Sequence, residues 1–217
     1  MIRAQKMVKF KQDKRSNFSQ MIVVAISGAS GPIMGVRLIE ELLNLKESVT
    51  AVVSQPAGRI IEYEMLLEKA PFSSLRDLLE VRGVAKNFDL LNEYKNNNFF
   101  SPVASGSAQF EAVAVIPCSM KTLSAIVHGY ADSLITRACD VALKERRRCI
   151  IVPRETPLSV VHTENLHKAA QVGIEIVPPV PGFYTRPESV ADVVDFVVGK
   201  ILNLLGRKHR LFESWGE

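Results

Sequence analysis

The segment Met21-Ile-Val-Val-Ala-Ile-Ser-Gly-Ala-Ser-Gly31 confines this chain to a narrow set of folds. An apolar run ends in a small-residue turn, and Val36, Leu38, Ile39, Leu42 and Leu43 then recur at helical spacing. The pattern predicts a buried strand, a tight glycine turn and a helix, a junction where unpaired backbone N–H groups and the helix dipole both favour an anion. Glycines at 28, 31 and 35 do not make a G-x-G-x-x-G dinucleotide fingerprint. The next strand, Val49–Val53, ends in Ser54, where a dinucleotide site would place an acid on the ribose. A hydroxyl there favours a ligand phosphate and points to a mononucleotide or sugar-phosphate reader.

Strand-like and helix-like segments alternate from there to the C-terminus. After Val49–Val53 comes a helix from about Pro56 to Lys69, followed by polar sequence ending at Asn96-Asn97-Asn98. Glu111–Ile116 reads as a strand, Thr122–His128 and Ser133–Arg147 as helices, and Cys149–Val152 as a strand. A helix at Ser159–Val172, a strand at Ile174–Val177 and a helix at Ser189–Leu205 complete the series. The alternation predicts an α/β fold, a single-domain Rossmann-like open parallel sheet with helices on both faces. Prolines 117, 153 and 178 are expected to stop their strands. The loops after the strands then gather at one carboxyl edge, where ligands bind in such sheets.

Charge divides the chain unevenly. Residues 1–20 carry +5, which leaves the remaining 197 residues at −1 of the overall +4. The basic arm is read as lying outside a domain spanning 21–217, and the near-neutral domain argues against nucleic-acid binding. No apolar run approaches the roughly 18 residues of a membrane helix. Cys118, Cys139 and Cys149 are three widely spaced thiols, consistent with a reducing, cytoplasmic setting.

Several side chains admit two readings. Arg137 and Lys144 share one helix face and either clamp a phosphate or belong to a solvated surface, as Arg146 to Arg148 do. Glu155, after Pro153-Arg154, is either a structural ion-pair partner or, against an apolar wall, a proton relay. Glu64 has the spacing of an ordinary helix-surface carboxylate, and Ala104-Ser105-Gly106-Ser107 is either a plain loop or a close backbone approach to an anion. His162 and His167 lie off a common face, Cys118 has no His partner in its loop, and no D-D-x-x-D run offers magnesium ligands.

Seven motifs in order resemble the flavin prenyltransferase family, the UbiX group. They are Ser-Gly-Ala-Ser-Gly at 27–31, Ala-Ser-Gly-Ser at 104–107, Pro-Cys-Ser-Met-Lys-Thr-Leu-Ser-Ala at 117–125, Arg137 with the helix end at 140–147, Pro-Arg-Glu-Thr-Pro at 153–157, His-Thr-Glu-Asn-Leu at 162–166 and Pro-Gly-Phe-Tyr at 181–184. The resemblance implies a metal-independent homododecamer that joins the dimethylallyl group of dimethylallyl phosphate to N5 and C6 of reduced FMN, supplying prenylated FMN to a UbiD-type decarboxylase. It assigns Gly28, Ala29, Ser30, Ser54, Ser119, Met120, Lys121, Thr122 and Arg154 to FMN. It assigns Ser105, Arg137, Lys144, Tyr184 and Lys200 to the allyl phosphate, and Glu64, Glu155 and Lys144 to the reacting centre. Phe99-Phe100 stands where many members carry a Trp, and Lys200 where some carry Arg. Two other functions compete: an FMN-dependent decarboxylase of the related cysteine-decarboxylase group, and a non-catalytic flavin carrier. The first helix, Ser30 to Lys46, lacks the His on which that decarboxylase group relies.

Overall fold

Every strand between Met21 and Ile176 runs parallel to its neighbours, in the order β3-β2-β1-β4-β5-β6. The computed structural model describes residues 21–67, 69–84, 87–213 and 215–216, so the basic arm lies outside the described residues. The strands are β1 (Met21–Ile26), β2 (Val49–Val53), β3 (Leu91–Lys95), β4 (Phe110–Cys118), β5 (Arg148–Pro153) and β6 (Glu175–Ile176). Their helices are α1 (Pro32–Asn44), α2 (Gln55–Glu64), α3 (Leu75–Val81), α4 (Met120–Val127), α5 (Leu134–Lys144), α6 (Val160–Gln171) and α7 (Val190–Leu204). The strand order reverses between β1 and β4, which makes their carboxyl ends the topological switch point.

Alternation along β1 builds two cores. Ile22, Val24 and Ile26 face a cluster with α1, α3 and α7, through Leu38, Leu42, Leu79 and Val198. Val23 and Ala25 face the opposite cluster with α4, α5 and the inner side of α6, through Leu123, Val141 and Ala169. A strand buried on both sides must be apolar at every position, which accounts for the unbroken runs read from the sequence.

The alternating α/β reading describes this architecture, with three local differences. β3 and α3 occupy the stretch read as polar sequence. β3 (Leu-Asn-Glu-Tyr-Lys) is an edge strand paired only with β2 and mostly exposed, so it carries no apolar run. Helix α2 ends at Glu64, five residues short of the predicted Lys69. Pro117 does not stop β4. The pairing with β5 is irregular between Val115 and Cys118 and resumes at Cys118, so the proline sits where no ladder N–H is required.

Gly31 is the N-cap of α1 at φ 88°, a left-handed conformation that glycine adopts without steric cost. Gly35, one turn into α1, is required for packing: a Cβ there would collide with the Ile116 carbonyl oxygen and stand 2.8 Å from Ile26 Cγ1. Gly35→Ala is therefore expected to lower stability by about 1–3 kcal/mol through overpacking, although alanine is the better helix former by about 1 kcal/mol. Urea unfolding checks the sign, and a raised midpoint would contradict this packing.

Candidate functional site

The carboxyl ends of β1 and β4 are held together by one buried hydroxyl. Ser27, 1% exposed, donates its Oγ–H to the Pro117 carbonyl at 2.9 Å and accepts the Ser119 N–H at 2.8 Å. The Ser27 N–H also reaches the Pro117 carbonyl at 3.2 Å, and the Arg154 N–H reaches the Cys118 carbonyl at 3.0 Å, tying in the end of β5. The Ser27–Gly31 turn and the Ser119–Thr122 segment are thereby fixed side by side.

Beside them, at the carboxyl edge of the sheet, lies a cavity of about 220 Å³ whose lining includes Gly28, Ser54, Ser119, Thr122, Ser133 and Asn96. Three of these are helix N-caps. Ser54 accepts from Ala57 N, Ser119 from Thr122 N and Ser133 from Thr136 N, so α2, α4 and α5 all direct their N-termini into one space. Three dipoles of the same sign and the orphan amides beside them create a region that favours negative charge. The amides of Met120 and Lys121 donate to no other group among the described residues. Lys121 adds an ammonium at the rim, 4.0 Å from Asp132.

The glycine turn itself is partly occupied. Glu64, at the end of α2, accepts the Gly31 N–H at 2.9 Å through Oε2. The Ala29 N–H is likewise taken, by the Ser27 carbonyl at 2.8 Å. Asn96, Ser133 and Thr136 belong to the cavity but were not singled out from sequence. Asn96 accepts the Leu134 N–H through its carbonyl and the Ile135 N–H through Oδ1, so the end of β3 fixes the start of α5. The run Asn96-Asn97-Asn98 is the only local signal, and it looks like a loop.

The cations of α5 form a second group. Arg137, half-buried, donates Nε–H to the Ala104 carbonyl at 2.9 Å and pairs with Asp140. Lys144 pairs with Glu145 at 3.0 Å, and its ammonium holds the Glu145 carboxyl below the usual carboxylate range. The Ser105–Ser107 loop lies against this pair: a Cβ on Gly106 would stand 2.8 Å from Lys144 Nζ. Ser105 and Ser107 share a hydroxyl contact at 2.8 Å. The sequence-predicted Ser105, Arg137 and Lys144 are thus brought together.

Tyr184 and Lys200 are not brought to that group. They lie on the α7 side of the sheet, the opposite face from α5. Tyr184 packs edge-on against Phe196 at 5.9 Å and Trp215 at 5.3 Å, and Lys200 Nζ stands over the Phe196 and Phe212 rings. Arg154 and Glu155 are both exposed, and Glu155 accepts the Thr156 N–H at 3.0 Å, so the described residues leave that carboxylate facing solvent and not an apolar wall. Cys118 is fully buried, and burial pushes its thiol well above the usual range, which removes it as a nucleophile. His162 serves the α6 capping box, where Nδ1 accepts the Ser159 N–H. Among the described residues no group of three His, Cys, Asp or Glu is placed to hold a metal, and no helix is long and apolar enough to cross a membrane.

The model of the Flavoprotein family matches residues 10–202, beginning inside the basic arm. A protein of Methanocaldococcus jannaschii named flavin prenyltransferase UbiX is 46% identical over 195 residues, covering 90% of this chain and 98% of its own. The crystal structure of AnUbiX in complex with FMN and dimethylallyl pyrophosphate superposes with a TM-score of 0.80 at 38% identity, covering 92% of this chain and 99% of that one. A dodecameric FMN-dependent UbiX-like decarboxylase from Escherichia coli O157:H7 gives a TM-score of 0.79 at 37% identity, covering 91% and 100%.

The C-terminal segment beside Tyr184 carries its own titrating group. His209 accepts the Leu211 N–H on Nδ1 at 3.2 Å and donates Nε2–H to Asn203 at 3.1 Å, which requires the neutral ring. Burial, with a smaller contribution from the Lys200 ammonium, lowers its pKa against the opposing pull of the Gly199 backbone and Glu41. A lowered value means the docked segment binds fewer protons than the released one, so the contribution of His209 to docking is fully present above the ordinary histidine value and is lost as pH falls through the docked value. Trp215 is the single tryptophan of the chain. Its emission is expected to change as pH falls from about 7.5 to about 5, with a midpoint below the ordinary histidine value, and His209→Asn should remove the transition. A midpoint above that value would reverse the sign.

Proposed function

We infer the activity from one premise: the chain belongs to the Flavoprotein family and, within it, to the flavin prenyltransferases. Its reaction joins a dimethylallyl group to N5 and C6 of reduced FMN, with phosphate as leaving group and prenylated FMN as product. The observation that carries this reading is the presence of two separate anion-receptive regions. The crest cavity collects the N-termini of α2, α4 and α5, and a distinct cation pair, Arg137 and Lys144, lies beside the Ser105 loop. A flavin carrier needs the first and has no use for the second.

In this assignment Gly28, Ala29, Ser30, Ser54, Ser119, Met120, Lys121, Thr122 and Arg154 hold FMN, with its phosphate toward the helix N-termini. Reduced FMN supplies the electron-rich positions that accept the allyl group. Ser105, Arg137, Lys144, Tyr184 and Lys200 bind the donor. As the C–O bond breaks, charge accumulates on the phosphate, and fixed cations stabilise that charge without a metal. Lys144 shares the reacting centre with Glu64 and Glu155, the carboxyls assigned to proton movement there.

The donor set is divided between the two faces of one sheet, Arg137 and Lys144 on one and Tyr184 and Lys200 on the other. One small phosphate does not span a sheet, so the assignment calls for a homo-oligomer in which neighbouring copies complete each site. The dodecamer named for the Escherichia coli relative supports that order of assembly. A UbiD-type decarboxylase in the cytoplasm is the proposed recipient of the product. The name of that relative also keeps a decarboxylase reading in view, yet α1 contains no His for it.

Incubation with reduced FMN and dimethylallyl phosphate is expected to raise the flavin mass by one prenyl unit, with EDTA present or absent. Unchanged flavin, or a reaction that EDTA stops and magnesium restores, would overturn this reading. Lys144→Ala is expected to keep FMN bound while transfer falls by about 10²–10³-fold, the effect of losing one charge-stabilising donor. Loss of FMN with normal turnover after reconstitution would move Lys144 to the flavin site.

A further inference from the structure

We propose that Phe212 is a positioning residue for Lys200, holding its ammonium over two adjoining rings, its own and that of Phe196, so that the full charge meets the phosphate of the allyl donor. The proposal rests on the prenyl-transfer reading and adds to it a residue outside the motifs that carry the family resemblance.

The chain after α7 is built to deliver this ring. Gly206, at φ 69°, turns the backbone, and the Arg207 N–H returns to the Leu202 carbonyl at 2.8 Å. The Arg207 guanidinium then pairs with Glu47 at 2.9 Å and also with Glu111, fastening the segment to the loop before β2 and to the start of β4. His209 bonds Asn203 one turn back along α7. These anchors lay Phe212 across α7 at Gly199. A Cβ on Gly199 would stand 2.5 Å from Phe212 Cε1 and 2.7 Å from His209 Cε1. Glycine weakens a helix interior relative to alanine, and here the space it leaves is filled by the ring.

Lys200 Nζ lies 5.3 Å from the Phe196 centroid and 5.4 Å from that of Phe212, both within cation–π range. The two rings pack at 5.0 Å with a tilt of 49°, and Phe196 also receives the edge of Tyr184. One aromatic group therefore orders both donor-binding side chains on this face. The mode of holding matters. Arg137 and Lys144 are each ordered by a carboxylate, which cancels part of the charge they present. Among the described residues Lys200 has no carboxylate within ion-pair distance. A ring face attracts the ammonium through its quadrupole and carries no formal charge, so the flexible lysine stem is ordered while its net charge stays available to an incoming anion.

The test couples Phe212 to Lys200 in the full chain. Phe212→Leu is expected to raise the KM for dimethylallyl phosphate about tenfold with little change in kcat, as expected for lost ground-state and transition-state binding alike. FMN affinity should stay unchanged. Phe212→Tyr, which keeps a ring face, should restore KM to within about threefold. In a Lys200→Gln background the same Phe212→Leu change should add nothing further. Gly199→Ala, which displaces the ring, should move KM in the same direction as Phe212→Leu. Titrating dimethylallyl phosphate into protein loaded with oxidised FMN gives the same comparison without turnover. Coupling in that titration with no prenyl transfer by the unmodified chain would support the positioning role and overturn the function. Prenyl transfer with equal Phe212→Leu effects in both backgrounds, or with none in either, would overturn the positioning role and leave the function standing.

Discussion

Ser27 holds the structure together where the sheet would otherwise open. At a switch point the connections from two adjacent parallel strands leave in opposite directions, and a crevice forms between them. The Ser27 hydroxyl spans that crevice at its base, donating to Pro117 and accepting from Ser119. Both partners are backbone groups at the end of β4; without the hydroxyl the Ser119 N–H would lose its partner at a cost of about 1–3 kcal/mol, while the Pro117 carbonyl would keep the Ser27 N–H. The clasp also fixes the Ser119 N-cap relative to the Ser27–Gly31 turn, so the distance between the two anion-receptive backbones follows from one side chain. The Arg154 amide on the Cys118 carbonyl extends the same arrangement to the next strand.

In the proposed function the chain attracts anions by two different physical means. At the crest the charge is partial and fixed: three helix N-termini and unpaired amides need no reorganisation when a ligand arrives. Along α5 and α7 the charge is formal and carried on long side chains, which must be ordered first. Asp140 and Glu145 order Arg137 and Lys144 by ion pairing, whereas Phe196 and Phe212 order Lys200 by ring faces. A net charge near zero for residues 21–217 is compatible with both, because placement and not the total decides where an anion binds.

Legibility in the sequence follows burial. The β1 turn, the central strands and the amphipathic helices could be read because residues buried on both faces of a parallel sheet leave unbroken apolar runs. β3 could not, since an edge strand with Asn92, Glu93 and Lys95 resembles a loop, and with it went the role of Asn96. Ser54 stood out because it follows an apolar strand and Ser119 through the family resemblance; their hydroxyls prove to be helix caps, and in the proposed reading the amides beyond them receive the anion. Tyr184 and Lys200 entered only through family resemblance. Their setting depends on a tail folding back over Gly199, a contact between residues with no shared periodicity.

In the proposed assembly, the divided donor site and the exposed aromatic surface have the same explanation. Phe100 is fully exposed, and Tyr130, Phe183 and Trp215 are exposed by 65%, 77% and 79%. Exposed aromatic side chains of this kind are suited to contact between copies. They lie in the loop before β4, after α4, in the segment beyond β6 and at the C-terminus, on both sides of the sheet. Bringing such surfaces together covers apolar area and, in the same step, places the α5 cations of one copy beside the α7 face of another. Water would leave the site only at that stage. Exposed Glu155 would then lie against protein in place of solvent, and each cation would act in a medium where its charge counts for more. Catalytic strength in this reading is a property of the contact between folded chains, prepared by each chain but completed by none alone.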